Sequence, residues 1–315
     1  MAKKYHLKKG PKIGLILIIL LTVVGFISLK LYQDYRYRQT YEYKLLQINY
    51  PLPETKILID KLANPELDSL LEQEYRPEIT LLVKEPYFLF KNLERYLNYQ
   101  KEHQDLDYKA IVALVNVKRD AIYYDEPIDA DTTKQELMLV NKYYFLTEDY
   151  APENIIKVDI NYAYEGHRLI EEVFNAFKDL NQAAKEAGYN IVINSGYRTY
   201  TYQKELWENR KATQGQKKAD EFVARAGHSE HQTGYAIDVA DFLYGEFTEE
   251  KASYEWMLQN CYKYGFILRY PKDKENITGY TYEPWHYRYV GKEVAGKIWQ
   301  EKITFDEYYA FYLDK

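Results

Sequence analysis

The strongest hydrophobic pattern in the chain lies within its first thirty residues. Residues 13–29 are 17 consecutive uncharged positions, preceded by five lysines and no acidic residue: Lys3, Lys4, Lys8, Lys9 and Lys12. A helix of this length lies at the short end of what crosses a bilayer core, and the lysines favour a cytoplasmic N-terminus. The pattern predicts an uncleaved transmembrane anchor with the rest of the chain outside. The alternative is a cleaved signal peptide, but its apolar region is usually shorter and residues 23–25 make a poor cleavage site.

Beyond the anchor, helical periodicity alternates with short apolar runs. The periodicity predicts short amphipathic helices at 54–75 and 85–101, and longer helices that end before Gly188 and Gly265, at 165–187 and 249–264. Strands are predicted from the apolar runs at 111–117, 190–194, 235–240 and 266–270. Helices that feed strands without strict alternation indicate an α+β fold.

The same pattern divides the chain into five segments, with an acidic loop before the main domain. We predict a basic cytoplasmic tail at 1–12, the anchor at 13–29, a stalk and small helical region of unknown role at 30–130, the main domain at 131–300 and a C-terminal tail at 301–315.

Charge and cysteine content exclude several classes of function. The chain has 42 basic and 48 acidic residues, and removing the five N-terminal lysines leaves an outer part with a net charge of −11. Such a chain is a poor candidate for binding nucleic acid and is better suited to a small or weakly charged substrate. Cys261 is the sole cysteine, so an internal disulfide and a Cys-ligated metal site are excluded. We expect Cys261 to be a small core residue.

Three of the six histidines lie in two short windows, Gly227–Asp238 and 283–286. A catalytic zinc site needs three protein ligands, commonly His and carboxylate, and His231, Asp238 and His286 supply that set. Asp238 interrupts an apolar strand, where a carboxylate is costly unless it is paired or bound to a metal. Glu283 is then available to take a proton from the attacking water. Because Glu283 and His286 would point to opposite faces of an unbroken strand, the chain must turn near Pro284.

Together, three spaced motifs resemble the zinc D-Ala-D-Ala carboxypeptidases of the VanY type and their L,D-carboxypeptidase relatives. The motifs are Ser195-Gly196-Tyr197-Arg198 with Gln203, then Ser229-x-His231-x-x-Gly234-x-Ala236-x-Asp238, then Glu283-x-Trp285-His286, and the resemblance covers about residues 135–295. It implies a small mixed or antiparallel sheet flanked by helices, the fold of zinc D,D-peptidases and hedgehog-like domains.

The resemblance also implies residue roles. One zinc ion per chain would be held by His231, Asp238 and His286, with Glu283 as general base and later general acid. Arg198 matches the arginine that faces the substrate carboxylate and the developing oxyanion, and Gln203 and Ser229 match substrate-contacting positions. In the family pattern the ligand is the histidine at 231, so His228 is expected to be structural.

These features predict a single-pass bacterial membrane protein whose extracytoplasmic domain removes C-terminal D-alanine from peptidoglycan stem peptides or lipid-linked precursors. The alternative substrate is the tetrapeptide stem, cut by L,D-carboxypeptidase activity. A non-catalytic wall-binding homologue is a further alternative, although no motif residue is lost. A serine hydrolase using Ser195 or Ser229 is disfavoured because the nucleophile-elbow motif is missing from the sequence.

The 36 tyrosines are spread along the chain rather than gathered in one tract. Four of them bracket the motifs: Tyr197, Tyr235, Tyr282 and Tyr287. We expect a minority of the tyrosines to line a peptide cleft and most to pack the outer domain, and we expect Trp285 and Tyr287 to pack the third motif.

Overall fold

A computed structural model describes residues 9–164, 166–242, 245 and 247–314, with side chains in the N-terminal helix from residue 14 onward. Residues 1–8 of the predicted cytoplasmic tail, and all five of its lysine side chains, lie outside the described residues. The chain divides into two compact units, Met1–Asn98 and Tyr99–Lys315. This division is based on packing contacts, whereas the five predicted segments are defined by their functions. Those segments therefore stay a prediction.

The first unit is helical in its described part. Its long helix α1 (Lys9–Arg38) contains the segment Gly14–Arg38, whose 25 residues are long and apolar enough to cross a membrane by length and composition. The shorter helices are α2 (Tyr41–Gln47), α3 (Leu52–Lys61), α4 (Asn64–Leu71), α5 (Pro77–Lys84) and the first turns of α6 (Leu93–Glu102). Leucines on the inner faces of these helices are buried, among them Leu45, Leu58 and Leu70. Apolar burial is therefore what holds this unit together.

One predicted strand, at residues 111–117, is wrong. The segment belongs to helix α7 (Tyr108–Asn116), which begins where the Asp107 side chain accepts a hydrogen bond from the Ala110 amide at 2.7 Å. Ile111 and Val115 are fully buried. A short apolar run fits a buried helix as well as a strand, and the aspartate cap was the signal that could have decided between them.

The described residues of the second unit form three small sheets, which confirms the predicted α+β class. Strands β1 (Ile128–Asp129) and β2 (Tyr144–Phe145) pair in parallel, while β3 (Ile155–Lys157) and β4 (Arg168–Ile170) pair antiparallel. The main sheet is antiparallel in the order β5-β6-β8-β7, with β5 (Ile191–Ser195), β6 (Ala236–Asp241), β7 (Phe266–Leu268) and β8 (His286–Tyr289).

Helices surround the main sheet. They are α8 (Glu171–Glu186), α9 (Tyr200–Gln214), α10 (Gln216–Phe222), α11 (Ala252–Asn260), α12 (Glu275–Thr278), α13 (Lys292–Glu301) and α14 (Phe305–Tyr308). Short 3₁₀ turns lie at Phe90–Asn92, Thr132–Leu137, Glu230–Thr233 and Cys261–Tyr264, and a π-helical turn at Tyr309–Leu313.

The two faces of β6 have different surroundings. Ile237 and Val239 join the apolar core that also contains Phe177 of α8. Because side chains alternate along a strand, Asp238 lies on the opposite face. Cys261 is buried in the same core, as expected.

Residues predicted to be a C-terminal tail pack into the second unit. Phe305 is fully buried, Tyr309 nearly so, and both join an apolar cluster with Ile267 of β7 and Ile298 of α13. This segment thereby brings Asp306 into the protein interior, where it is 2% exposed.

Candidate active site

Strand register brings residues from three motifs into one row. Asp238 on β6 is paired with Ser195 on β5 and with His286 on β8. Paired residues on neighbouring strands place their Cβ atoms about 5 Å apart on the same face. The sheet therefore fixes Asp238 and His286 side by side although 48 positions separate them in sequence.

His231 reaches the same place from the 3₁₀ turn that precedes β6. Its Nδ1 atom lies 2.7 Å from the carbonyl oxygen of Gly196, so this nitrogen carries the proton and Nε2 faces Asp238. The turn ends at Gly234, whose φ of 76° lies in the left-handed region that glycine favours. Gly234 therefore lets the chain turn from the 3₁₀ segment into β6.

We call His231, Asp238 and His286 the metal cluster, because one potential ligand atom from each lies within 4.8 Å of the others. Nε2 of His231 is 3.4 Å from Oδ2 of Asp238, and Nδ1 of His286 is 3.2 Å from Oδ1. A tetrahedral zinc site with ligand distances of about 2.0–2.1 Å separates its ligand atoms by about 3.4 Å. Oδ1 of Asp238 is also buried without a well-aligned hydrogen-bond donor. Donor types and spacing therefore fit a zinc ion.

Glu283 lies beside this cluster because the chain turns at Pro284, as predicted. The His286 amide donates to the Glu283 carbonyl at 3.3 Å, and β8 begins only at His286. The turn brings Oε2 of Glu283 to 3.5 Å from Nδ1 of His286, with the glutamate side chain 13% exposed.

Burial and neighbouring charges separate the pKa values in the site. Burial raises the pKa of Glu283 to about 7 and lowers that of His231 to about 4. Burial alone would lower the pKa of His286, but the carboxylates of Asp238 and Glu230 outweigh it and raise that pKa to about 9. Burial opposes ionisation of Asp238, yet the two histidines hold its pKa well below the usual range. A carboxyl group with a pKa near 7 is suited to proton transfer at neutral pH.

Arg198 lies at the edge of the metal cluster. Its Nη2 donates to Oδ2 of Asp238 at 2.8 Å, and Nε and Nη2 both donate to Oγ of Ser195. Its side chain is 22% exposed. None of the described residues accepts a hydrogen bond from Nη1, so part of the guanidinium remains available to a ligand.

A cavity of about 440 Å³ opens onto these residues. Gln203 and Ser229 line it, as do Arg198, Glu283 and the metal cluster. Gln203 is nearly fully buried and donates to the Ala224 carbonyl, while its Oε1 atom has no partner among the described residues. The cavity therefore gathers every candidate site residue named from the sequence.

Aromatic residues at the cavity differ from those expected. Tyr270 and Tyr280 line it, whereas Tyr197, Tyr235, Tyr282 and Tyr287 are not among its described lining residues. Trp285 also lines it and is 41% exposed, so the expectation that it packs the motif is wrong. Tyr287 is fully buried in the core, as expected. Closeness in sequence to the motifs did not predict which tyrosines line the cavity, because alternate residues of a strand face the core.

Next to the cavity lies a second group of charged residues that sequence reasoning missed, one of which, Glu230, also lines the cavity. We call Glu230, Arg269, Arg288 and Asp306 the ion cluster; each is at most 2% exposed. Arg269 donates to Glu230 at 2.7 Å and to Asp306 at 2.6 Å, and Arg288 lies 3.0 Å from Glu230. Burial opposes ionisation of Glu230, but the two arginines lower its pKa.

The ion cluster contacts the metal cluster through one pair. Oε2 of Glu230 lies 3.4 Å from Nε2 of His286, so the carboxylate orients that ring with Nδ1 towards Asp238. The sequence contains one signal for the ion cluster. Arg269 lies in the otherwise apolar run at 266–270, and an arginine buried there needs a polar or charged partner.

His228 does not join the metal cluster. Its Nδ1 lies 2.7 Å from the Asn141 carbonyl, and its ring packs against Tyr124 and Phe145. The structure thus gives His228 a packing environment, as expected.

Comparisons with known proteins agree with this geometry. The family model described as "VanY: D-alanyl-D-alanine carboxypeptidase" matches residues 166–292. A D-alanyl-D-alanine carboxypeptidase of Enterococcus faecalis is 36% identical over 188 residues, which cover 56% of this chain and 67% of that protein.

Two solved structures are also similar. The LdcB LD-carboxypeptidase matches with a TM-score of 0.56 and 40% identity, covering 59% of this chain and 91% of that one. The D,D-pentapeptidase VanY of a VanB-type resistance cassette, solved with Zn(II), matches with a TM-score of 0.50 and 35% identity, covering 55% and 98%. By sequence, fold and motif geometry, the chain belongs to the VanY family of D-alanyl-D-alanine carboxypeptidases.

Proposed function

We propose that this protein is a membrane-anchored zinc carboxypeptidase that removes C-terminal D-alanine from peptidoglycan stem peptides or their lipid-linked precursors. The observation that carries the proposal is the metal cluster with Glu283 beside it, at the base of a cavity large enough for a short peptide. The enterococcal relative, a D-alanyl-D-alanine carboxypeptidase, supports this reaction and substrate class.

His231, Asp238 and His286 would hold one zinc ion, as their donor atoms and spacing allow. Bound zinc supplies Lewis acidity, which lowers the pKa of water and polarises a carbonyl group. The Gly196 carbonyl and Glu230 fix the ring orientations of His231 and His286, so that one nitrogen of each ring is directed to the metal.

Glu283 is the proton carrier in this proposal. With a pKa of about 7, its carboxylate can accept a proton from the attacking water and return it to the leaving amine. Arg198 holds Asp238 in place and leaves Nη1 for the oxygen that gains negative charge, or for the terminal carboxylate. Ser229 and Gln203 line the same cavity and are the candidates for contacts with the peptide backbone.

The anchor is consistent with this substrate. Segment Gly14–Arg38 is long and apolar enough to span a bilayer. The preceding lysines favour a cytoplasmic N-terminus, which would place the second unit outside, where wall precursors are assembled.

A specific similarity supports a second candidate reaction. The LdcB LD-carboxypeptidase is 40% identical in sequence and covers 59% of this chain. The alternative is therefore cleavage between an L-centre diamino acid and D-alanine in tetrapeptide stems, by the same residues.

One experiment tests both candidates. Full-length zinc-loaded protein in detergent is incubated with synthetic pentapeptide and tetrapeptide stems, and the masses of the products are measured by mass spectrometry. Loss of one D-alanine from the pentapeptide supports the D,D reaction, and loss from the tetrapeptide supports the L,D reaction. Failure to cut either, with zinc bound, would overturn the proposed function and favour a wall-binding protein. Cleavage that resists a zinc chelator would instead favour a serine hydrolase.

A further inference from the structure

We propose that Arg210 forms a second anion-binding subsite in the cavity, which recognises a carboxylate of the substrate two or three residues upstream of the scissile bond. This inference rests on the proposed function and extends it to substrate specificity. Arg210 lies outside the three sequence motifs, on the second half of helix α9.

One face of α9 forms a wall of the cavity. Gln203, Leu206, Arg210 and Thr213 all line it, at the three- and four-residue spacing of a helix face. Seven residues of helix rise about 10 Å, so Arg210 lies roughly 10 Å along α9 from Gln203. That distance corresponds to about three residues of extended peptide at roughly 3.3 Å each. A peptide whose C-terminal end reaches Gln203 can therefore extend to Arg210.

The guanidinium of Arg210 packs against an aromatic ring, and no acidic residue in the described part of the chain forms an ion pair with it. Its Cζ atom lies 5.4 Å from the ring centroid of Phe222, a residue of α10 that also lines the cavity. Nε of Arg210 is buried and has no hydrogen-bond partner among the described residues. A guanidinium that lines a cavity without an anionic partner is unfavourable, and a ligand carboxylate could pair with its terminal nitrogens.

Arg225, on the segment after α10, shows the contrasting arrangement. Its guanidinium forms two hydrogen bonds to the Asp220 carboxylate, at 2.9 and 2.8 Å, and Asp220 also accepts from Trp207 at 2.9 Å. That pair connects α10 to α9 and neutralises the charge of Arg225, which is not among the described lining residues of the cavity. Arg210 lines the cavity, and none of the described acidic residues forms an ion pair with it.

The local charge also favours an anionic ligand. Residues 204–225 carry six basic and four acidic side chains, whereas the whole chain has a net charge of −6. A positive region beside the cavity of an acidic protein raises the local concentration of anionic peptides.

Stem peptides offer two groups of this chemistry. One is the free α-carboxylate of a γ-linked glutamate residue, and the other is the second carboxylate of a dicarboxylic diamino acid. Both lie upstream of the terminal D-alanine, and each has a counterpart that lacks the carboxylate: a carboxamide for the glutamate and lysine for the diamino acid. The arginine fork matches either carboxylate through paired hydrogen bonds.

The test compares four pentapeptides that combine glutamate or its carboxamide with diaminopimelate or lysine. KM and kcat are measured for full-length zinc-loaded wild type, Arg210→Met, Arg210→Lys and the control Lys211→Met, which removes a neighbouring charge that lies near Trp207 outside the cavity lining. We expect one of the two carboxylates to lower the KM of wild type about tenfold, with kcat within about twofold. Arg210→Met should abolish that preference, Arg210→Lys should keep part of it, and Lys211→Met should match wild type.

Two outcomes overturn the subsite. Either wild type shows no preference for a carboxylate at either position, or Arg210→Met keeps the preference intact. If no peptide is cut, the proposed function fails, and calorimetric binding of the same peptides to Glu283→Gln protein with and without Arg210→Met decides the subsite separately. A carboxylate preference in Kd that Arg210→Met removes supports it, and equal Kd values overturn it.

Discussion

The metal cluster and the ion cluster are two neighbouring groups of buried ionisable residues that differ in the side chains facing their carboxylates. In the ion cluster, Arg269 and Arg288 face Glu230 and Asp306 at 2.6–3.0 Å, so two positive and two negative charges are paired. Around the metal cluster, the carboxyl groups of Asp238 and Glu283 lie beside His286, and Arg198 is the one lysine or arginine within ion-pair distance among the described residues. Arginines paired with carboxylates can stabilise the fold, whereas histidines together with a carboxylate supply the ligand atoms that a metal cation needs.

This difference predicts opposite consequences when each group is broken. Changes in the metal cluster or Glu283 should remove chemistry and leave the fold stable. Changes in the ion cluster should weaken the fold first and the chemistry through it.

The largest expected effect is on turnover. Glu283→Gln keeps the shape of the side chain but cannot accept a proton, so kcat/KM should fall about 10³-fold or more. Zinc content should stay near one per chain, because Glu283 is not a ligand. The free energy of unfolding should not fall, since an ionised carboxylate is costly to bury and the amide is neutral. Peptide cleavage measures kcat/KM, metal analysis measures zinc content, and denaturant titration measures the free energy of unfolding. Full activity in this variant would show that Glu283 is not the proton carrier.

The second-largest expected effect is on the free energy of unfolding, through the ion cluster. Asp306→Ala leaves Arg269 with Glu230 alone in a fully buried position, and we expect a loss of about 3–5 kcal/mol in the free energy of unfolding. The control is Glu249→Ala, which removes an exposed ion pair with Lys272 at 3.2 Å and should cost under about 1 kcal/mol. Equal losses in the two variants would mean that the buried pairs of the ion cluster contribute no more to the free energy of unfolding than an exposed pair.

The contact between the two clusters should affect metal affinity. Glu230→Gln weakens the partner that orients His286, and we expect zinc affinity to fall about 10- to 100-fold in competition with a chelating dye. Glu283→Gln serves as the control and should bind zinc within a few-fold of wild type. If both variants bind zinc equally well, the ion cluster has a structural role only.

How far the sequence predicts this arrangement depends on the range of the contacts involved. His231, Asp238, Glu283 and His286 follow local motifs, and the structure brings them together as the motif spacing and the resemblance implied. The α+β class also followed from local periodicity. The periodicity of each element lies within a few residues, whereas the joining of two windows 48 positions apart was implied by the family resemblance.

The ion cluster could not be predicted in the same way. Asp306 lies in a segment that resembled a tail, and it pairs with Arg269, 37 positions earlier, only because α14 packs against the sheet. Arg288 alternates with two buried tyrosines on β8, where its partner Glu230 comes from a different motif. Such pairings depend on tertiary packing, which composition and periodicity do not encode.

The smallest expected effect concerns Tyr270, which lies between the two clusters. Its ring is 4.9 Å from the His286 ring and 4.8 Å from the Arg269 guanidinium, and it lines the cavity. Tyr270→Phe keeps these ring contacts and removes only the hydroxyl, so we expect kcat/KM to change by about two- to fivefold. Tyr282→Phe, which lies outside the described cavity lining, should change it by less than about twofold. A loss above about 100-fold in Tyr270→Phe would place its hydroxyl at the reacting atoms, because losing a packing contact cannot account for that barrier.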